Sequence, residues 1–202
     1  ALDTEPSLPP ERGAEEAEVG DSVDMRAEQR LLNLVRQPWV GDLDGMLERR
    51  LIRVLTAPSR TMYFLEKGTP RGIVSEFQVA FEAFINQRFP PWDKHLKPRI
   101  VVVLVQRDEL LPALLDGRGD IAAANLTITP GREAQVDFSA PTSKAVDEIL
   151  VTGPSSPAFA SLDDLAGTPV WARRSSSYWE HLQEINARFA AEGKTPIKIE
   201  PA

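Results

Sequence analysis

The chain has 202 residues, 42% of them hydrophobic and 26% charged, enough to bury a substantial core in one large domain or two lobes. Its net charge of −7 excludes the basic footprint of a nucleic-acid binder. There is no cysteine, which excludes disulfides and thiolate metal sites, and no window approaches the ~20 apolar residues of a membrane-spanning helix.

Residues 1–21, ALDTEPSLPPERGAEEAEVGD, are rich in proline, glutamate and small side chains. Such a segment buries too little apolar surface to offset its ordering entropy, which predicts a flexible acidic tether. A tether beginning at Ala1 is what a processed exported protein, or a chain trimmed of its leader, would show. From Asp21 the pattern changes. Met25, Leu31, Leu32 and Val35 recur at helical spacing, with Asp21 or Ser22 as N-cap and Pro38 as the stop. GDLDGMLERR predicts a second short helical piece, so residues 22–50 read as a helical extension.

LIRVLTA, 51–57, predicts a β-branched strand. GIVSEFQVAFEAFINQRF, 72–89, predicts a helix with Ile73, Phe77, Phe81, Phe84 and Ile85 on one face. A strand at 99–106, a helix at 108–119 closed by glycine, and a strand at 120–125 follow. This alternation implies parallel strands joined by right-handed crossovers, with ligands beyond the strands' carboxyl ends. After VDFSAP, VDEILVTG predicts another strand, followed by the loop PSSPAFASLDDLAG. A second alternation then begins: strand 168–172, helix 177–193, strand 196–200.

The run NLTITPGREAQVDFSAP, 125–141, lies at the carboxyl end of the third strand. Thr129-Pro130 fits an N-cap followed by proline at the first helical position, a turn whose unpaired N–H groups favour an anion. Arg132 adds a planar fork suited to a carboxylate, and the Thr127 hydroxyl can donate from the strand end. The same residues also fit a capped turn with an exposed arginine.

In the second loop, RRSSSYWEHL, Ser177 with Glu180 fits a capping box, which leaves Ser175 and Ser176 at the helix N-terminus to grip a polar group or simply to face water. No histidine or lysine base is related by motif to these serines, so a serine nucleophile is not expected. Tyr63 or Phe64 is a candidate apolar wall and Arg60 a second anion contact, with core packing the alternative for Phe64. Glu76 sits in a first helical turn, where a carboxylate is favoured whatever the function. His95 and His181 read as solvated side chains rather than metal ligands.

DELLPALLDGRGDIAAANLTITPGREAQVDFSAP resembles the central signature of bacterial solute-binding protein family 3, and SLDDLAGTPVWARRSSSYWEHL is similar to its second-lobe segment. The resemblance covers about residues 51–200. It implies an α/β, periplasmic-binding-protein-like (type II) two-lobed fold, with lobe 1 at 51–141 and a partial, incomplete lobe 2 at 142–202. It implies that Arg132 takes the carboxylate of a small ligand, that Thr127 contacts it beside Arg132, and that Ser176 and Ser177 touch its other end. The chain departs from the family pattern at Arg60, where many members carry a stacking tyrosine, with Tyr63 as a later aromatic. The family's acidic ammonium contact lies after the strand ending at Glu200, so the chain is expected to supply part of the cleft.

SRTMYFLEKGTPRGI and RRSSSYWEHLQEINARF are similar to the N-terminal regulatory domain of membrane-bound lytic murein transglycosylases of the F group. That resemblance implies a periplasmic domain sensing an amino acid or muropeptide. It also implies a covalently linked downstream catalytic domain and outer-membrane attachment through the parent's anchor. It implies no cofactor and no catalytic residue within this chain. A stand-alone amino-acid receptor of an ABC transporter is the competing reading. An enzyme complete within these residues is disfavoured by scattered carboxylates. The grip needs Arg132 in the groove between the lobes, not pinned in an internal ion pair.

Overall fold

The computed structural model describes residues 25, 29–90, 96–143 and 147–202. The predicted tether, the N-cap at Asp21 or Ser22, and His95 lie outside the described residues. Helical pieces α1 (29–36) and α2 (Leu43–Glu48) precede β1 (Leu51–Thr56). A hairpin of β2 (Phe64–Glu66) and β3 (Thr69–Arg71) leads into α3 (Ile73–Arg88), β4 (Arg99–Leu104), α4 (Leu110–Leu115) and β5 (Ile121–Ala122). The short turn α5 (Pro130–Glu133) is followed by β6 (Pro169–Ala172), α6 (Ser177–Ala191) and β7 (Lys198–Pro201).

β1 is buried along its whole length, the near-continuous apolar run of a parallel strand covered on both faces. It pairs in parallel with β4 from Leu51↔Arg99 to Thr56↔Leu104, and with β5 at Val54↔Ile121 and Leu55↔Ala122, in the order β4-β1-β5. Successive side chains point to opposite faces. Ile52 and Val54 therefore pack with Val74 and Ile85 of α3, while Leu55 and Ala57 pack with Leu110 and Ala113 of α4. The three carboxyl ends share one edge, and β5 delivers the chain there. β5 ends at Ala122, three residues before the predicted strand end, and Asn125, with φ 46° in the left-handed region, redirects the chain beyond it.

One residue of β1 breaks the apolar pattern. Arg53 is fully buried, and its guanidinium donates to Asp120 Oδ1 at 2.8 Å and to the carbonyls of Gln37 (2.8 Å) and Trp39 (3.1 Å). Arg49 also pairs with Asp120 and lies over the Trp39 ring, 3.8 Å from its centroid. Trp39 N–H donates to the Gly117 carbonyl at 2.9 Å. Gly117 has φ +67°, and a Cβ there would lie 2.7 Å from the Trp39 carbonyl oxygen, so only glycine suits the position. The N-terminal extension is thus clipped to the edge of the first sheet opposite its carboxyl ends.

The second sheet pairs β6 and β7 in parallel from Pro169↔Lys198 to Ala172↔Pro201. Phe189 of α6, fully buried, packs with Leu165, Val170 and Ile197. The Asn186 amide bonds both backbone groups of Ile197, donating to its carbonyl at 2.9 Å and accepting from its N–H at 2.6 Å. Before β6, Asp164 accepts from the N–H groups of Ala160 (2.8 Å) and Ser161 (2.9 Å). The Ser161 N–H, then that of Ala160, hold its carboxyl below the ordinary aspartate value. A group lowered on folding adds stability that is present above its unfolded pKa and lost as pH falls through the folded one. An NMR titration should therefore place the Asp164 midpoint below that of an unstructured aspartate; an equal or higher midpoint would remove this cap from the account.

Several predicted elements are corrected. Residues 147–153 pair with no neighbour in the described structure, and Ile149 and Val151 are exposed, because β propensity without a ladder partner does not make a strand. The buried face of α3 is set by Val74 and Ile85, not by Ile73, Phe77 and Phe84, which face outward. Phe77 and Phe84 instead stack on either side of Phe81, with centroids 5.1 and 6.5 Å away. The hairpin was not expected. Lys67 (φ 50°) and Gly68 (φ 82°) are its two turn residues, both left-handed as a tight hairpin turn requires. The apolar side chains of α1, Leu31 and Leu32, remain substantially exposed.

Candidate functional site

The carboxyl edge of the first sheet meets the N-terminus of α6 at Arg132. Pro130 starts α5, whose φ it presets, and Thr129 holds the N-cap position in extended backbone. The Thr129 side chain does not cap, however. It is buried, and its Oγ1 has no hydrogen-bond partner among the described residues. Arg132, one turn on, is only 6% exposed. Its Nε–H donates to Glu180 Oε1, one terminal N–H to the Thr127 carbonyl and the other terminal nitrogen to the Ser175 carbonyl, each at 3.1 Å. The side chain therefore faces the second sheet's helix, between the two halves of the molecule. It is also held in an ion pair, contrary to the expectation of an unoccupied grip.

The α6 end is built from its serines. Ser176, not Ser177, is the N-cap: its Oγ accepts from Trp179 N–H at 3.3 Å and donates to the Arg173 carbonyl at 2.6 Å. The helix begins one residue earlier than a Ser177–Glu180 capping box requires, which releases Ser177 for another role. Its hydroxyl is buried, 3.2 Å from Thr127 Oγ1 and 3.3 Å from Glu148 Oε1. Ser175 contributes its carbonyl rather than its hydroxyl. Thus Thr127, Arg132, Ser175 and Ser177 converge, Ser176 shapes the helix end beside them, and Thr129 sets the turn.

Among the described residues neither the Arg60 nor the Tyr63 side chain is hydrogen-bonded to this cluster. Arg60 is exposed on the turn after β1 and makes no ion pair among the described residues. Tyr63, half-buried, packs against the first sheet's core, and its backbone bridges to Ser59.

Three acidic or titratable groups at the junction escaped the sequence reading: Glu180 as the partner of Arg132, Glu148, and His181 as its partner. His181 Nδ1 lies 2.9 Å from Glu148 Oε1, so the imidazole is paired, not merely solvated. A signal was available. Ser177, Glu180 and His181 are three and four residues apart and share one face of α6. Among the described residues the His181 imidazole meets the Glu148 carboxylate rather than Ser177, whose hydroxyl points to Thr127 and to that same carboxylate, so the contacts form no serine–histidine pair. Among the described residues no three acidic, histidine or cysteine side chains converge to hold a metal ion. The arrangement is a charged, hydroxyl-lined junction suited to recognition, centred on one guanidinium with five donors, three of them engaged.

Residues 52–195 match the bacterial extracellular solute-binding proteins, family 3. Over 160 residues the chain is 31% identical to membrane-bound lytic murein transglycosylase F of Maricaulis maris, covering 76% of this chain and 32% of that protein. It is 27% identical over 146 residues to membrane-bound lytic murein transglycosylase F 1 of Alkalilimnicola ehrlichii, covering 72% of this chain and 27% of that protein. It is also 27% identical over 138 residues to the amino-acid-binding protein AabA of Dichelobacter nodosus, covering 67% of this chain and 49% of that protein. The chain spans less than half the length of each of these relatives. Among solved structures it superposes on the ancestral amino acid-binding protein AncCDT-1 with a TM-score of 0.54 at 24% identity, covering 79% of this chain and 63% of that one. The corresponding values for a variant of ArgBP from T. maritima are 0.55, 22%, 79% and 62%. At such identities the likeness establishes the fold, the α/β periplasmic-binding-protein type with parallel sheets.

Proposed function

The chain belongs to the bacterial extracellular solute-binding proteins, family 3, and from that premise we propose that it is the ligand-binding, regulatory domain of a peptidoglycan lytic transglycosylase. Its ligand is a small carboxylate-bearing molecule, an amino acid or a cell-wall peptide, gripped between the lobes. The observation that supports this reading is the place of Arg132 at the junction, with partners from both halves of the molecule. Its ion pair with Glu180 runs against a preformed open grip, so a ligand carboxylate would have to displace that glutamate. A guanidinium fork matches a carboxylate in charge and geometry, and the adjacent hydroxyls of Thr127 and Ser177 can orient a polar group beside it. In this proposal the domain lies in the periplasm and reaches the outer membrane through the parent's anchor. The catalytic work belongs to a linked domain, and occupancy of the cleft is the signal passed to it.

Calorimetric titration of the full-length protein with free amino acids and muropeptides tests the grip. Arg132→Ala should weaken binding of a carboxylate ligand by ~1.5–3 kcal/mol. Equal affinity in the wild type and the variant would discard Arg132 as the ligand contact. The similarity to AabA supports a second reading, a stand-alone amino-acid receptor serving a transporter. A full-length protein that releases no anhydro-sugar products from peptidoglycan would favour that receptor.

A further inference from the structure

The partner that holds Arg132 has the same chemistry as the ligand assigned to it. We propose that Glu180 is an internal competitor: its carboxylate occupies Arg132 in the ligand-free protein, latches α6 against the first sheet, and must be displaced by an incoming carboxylate. The displacement step rests on the carboxylate grip described above; the latch stands on geometry alone.

The guanidinium is 7% exposed at its side chain and two of its three nitrogens are fixed on the backbone carbonyls of Thr127 and Ser175. Those acceptors are neutral backbone groups, and the Thr127 carbonyl, five residues away on the same side of the junction, keeps the arginine anchored when Glu180 leaves. A buried cation without a counter-charge is strongly unfavourable, and Glu180 supplies that charge from 48 residues away.

The pair is asymmetric. The Glu180 side chain is 34% exposed, so it can turn toward water at modest desolvation cost while Arg132 cannot. Its place in the first turn of a 15-residue helix keeps a carboxylate favourable there after release. Exchange therefore proceeds by the glutamate leaving. Because Arg132 and Glu180 sit on opposite sides of the junction, loss of their contact also removes a restraint on the two halves.

Modification of arginines by phenylglyoxal, followed residue by residue by mass spectrometry on the full-length protein, tests this. In the wild type Arg132 should react slowly, and millimolar acetate should change little. In Glu180→Ala its rate should rise about tenfold or more, and acetate should then protect it. The fully buried Arg53 serves as an internal reporter of folding and should stay unreactive in both. An unchanged Arg132 rate in Glu180→Ala overturns the latch. If Arg53 also becomes reactive, Glu180→Gln decides, since it keeps shape and hydrogen bonding but lacks the charge: faster Arg132 modification supports the latch and an unchanged rate overturns it. Acceleration without protection by acetate leaves the latch in place and removes the carboxylate grip.

Discussion

Replacing Arg53 with alanine is expected to destabilise the protein by ~3–5 kcal/mol, because it removes one partner of a buried ion pair. Asp120, whose side chain is 1% exposed, would keep Arg49 as a counter-charge but lose the contacts from the Arg53 guanidinium. The carbonyls of Gln37 and Trp39 would lose their donors at the same time. The loss should therefore loosen the N-terminal extension as well as the sheet. Urea unfolding measures it directly, and hydrogen exchange should show the 35–39 backbone opening before β1. A loss below ~1 kcal/mol would show that the clip contributes little net stability, as replaceable buried pairs sometimes do.

Phe189→Ala is expected to cost a similar ~3–5 kcal/mol, but in a different place. Phe189 fills the space between α6 and the second sheet and is 0% exposed. It is the largest of the four buried side chains of that core, so its truncation leaves a cavity that Leu165, Val170 and Ile197 fill only in part. Since α6 carries Ser177, Glu180 and His181, loosening its seat should also weaken ligand binding without any change at Arg132. Amides of β6 and β7 should lose exchange protection while those of β1 retain it. Uniform loss across both sheets would mean that the two halves unfold as one unit.

The fold was legible in the sequence where apolar, β-branched residues run almost without interruption. β1 and β4 announce themselves as apolar β-branched runs, and the alternation with helices implied parallel pairing, which the register bears out. Legibility failed where a partner distant in sequence decides the outcome. Arg53 has no local signal in LIRVLT, because its counter-charge lies 67 residues away. Residues 147–153 have strand propensity and no strand to join. Within α3, Phe77 and Phe84 satisfy helical spacing but gain their contacts by stacking along the helix rather than by entering the core.

At the candidate site the sequence grouped Arg132, Thr127 and the serines, which the structure brings into contact, but did not specify the atoms by which each makes its contacts. Ser176 and Ser177 exchange the roles predicted for them because one residue of helix register separates a cap from a buried contact. Thr129 marks the turn by its backbone and not by its hydroxyl. Within the sequence Glu180 fits a local cap. Its ion pair depends on how the halves of the molecule meet, which no pattern within RRSSSYWEHL encodes.

The central claim is that Arg132 is a carboxylate site held in trust by Glu180. A crystal structure of the full-length protein soaked with or grown in a bound amino acid or muropeptide tests it most directly. The account predicts a ligand carboxylate within hydrogen-bond distance of the Arg132 guanidinium and Glu180 turned away toward solvent. A ligand bound elsewhere while the Arg132–Glu180 pair stays intact would contradict it.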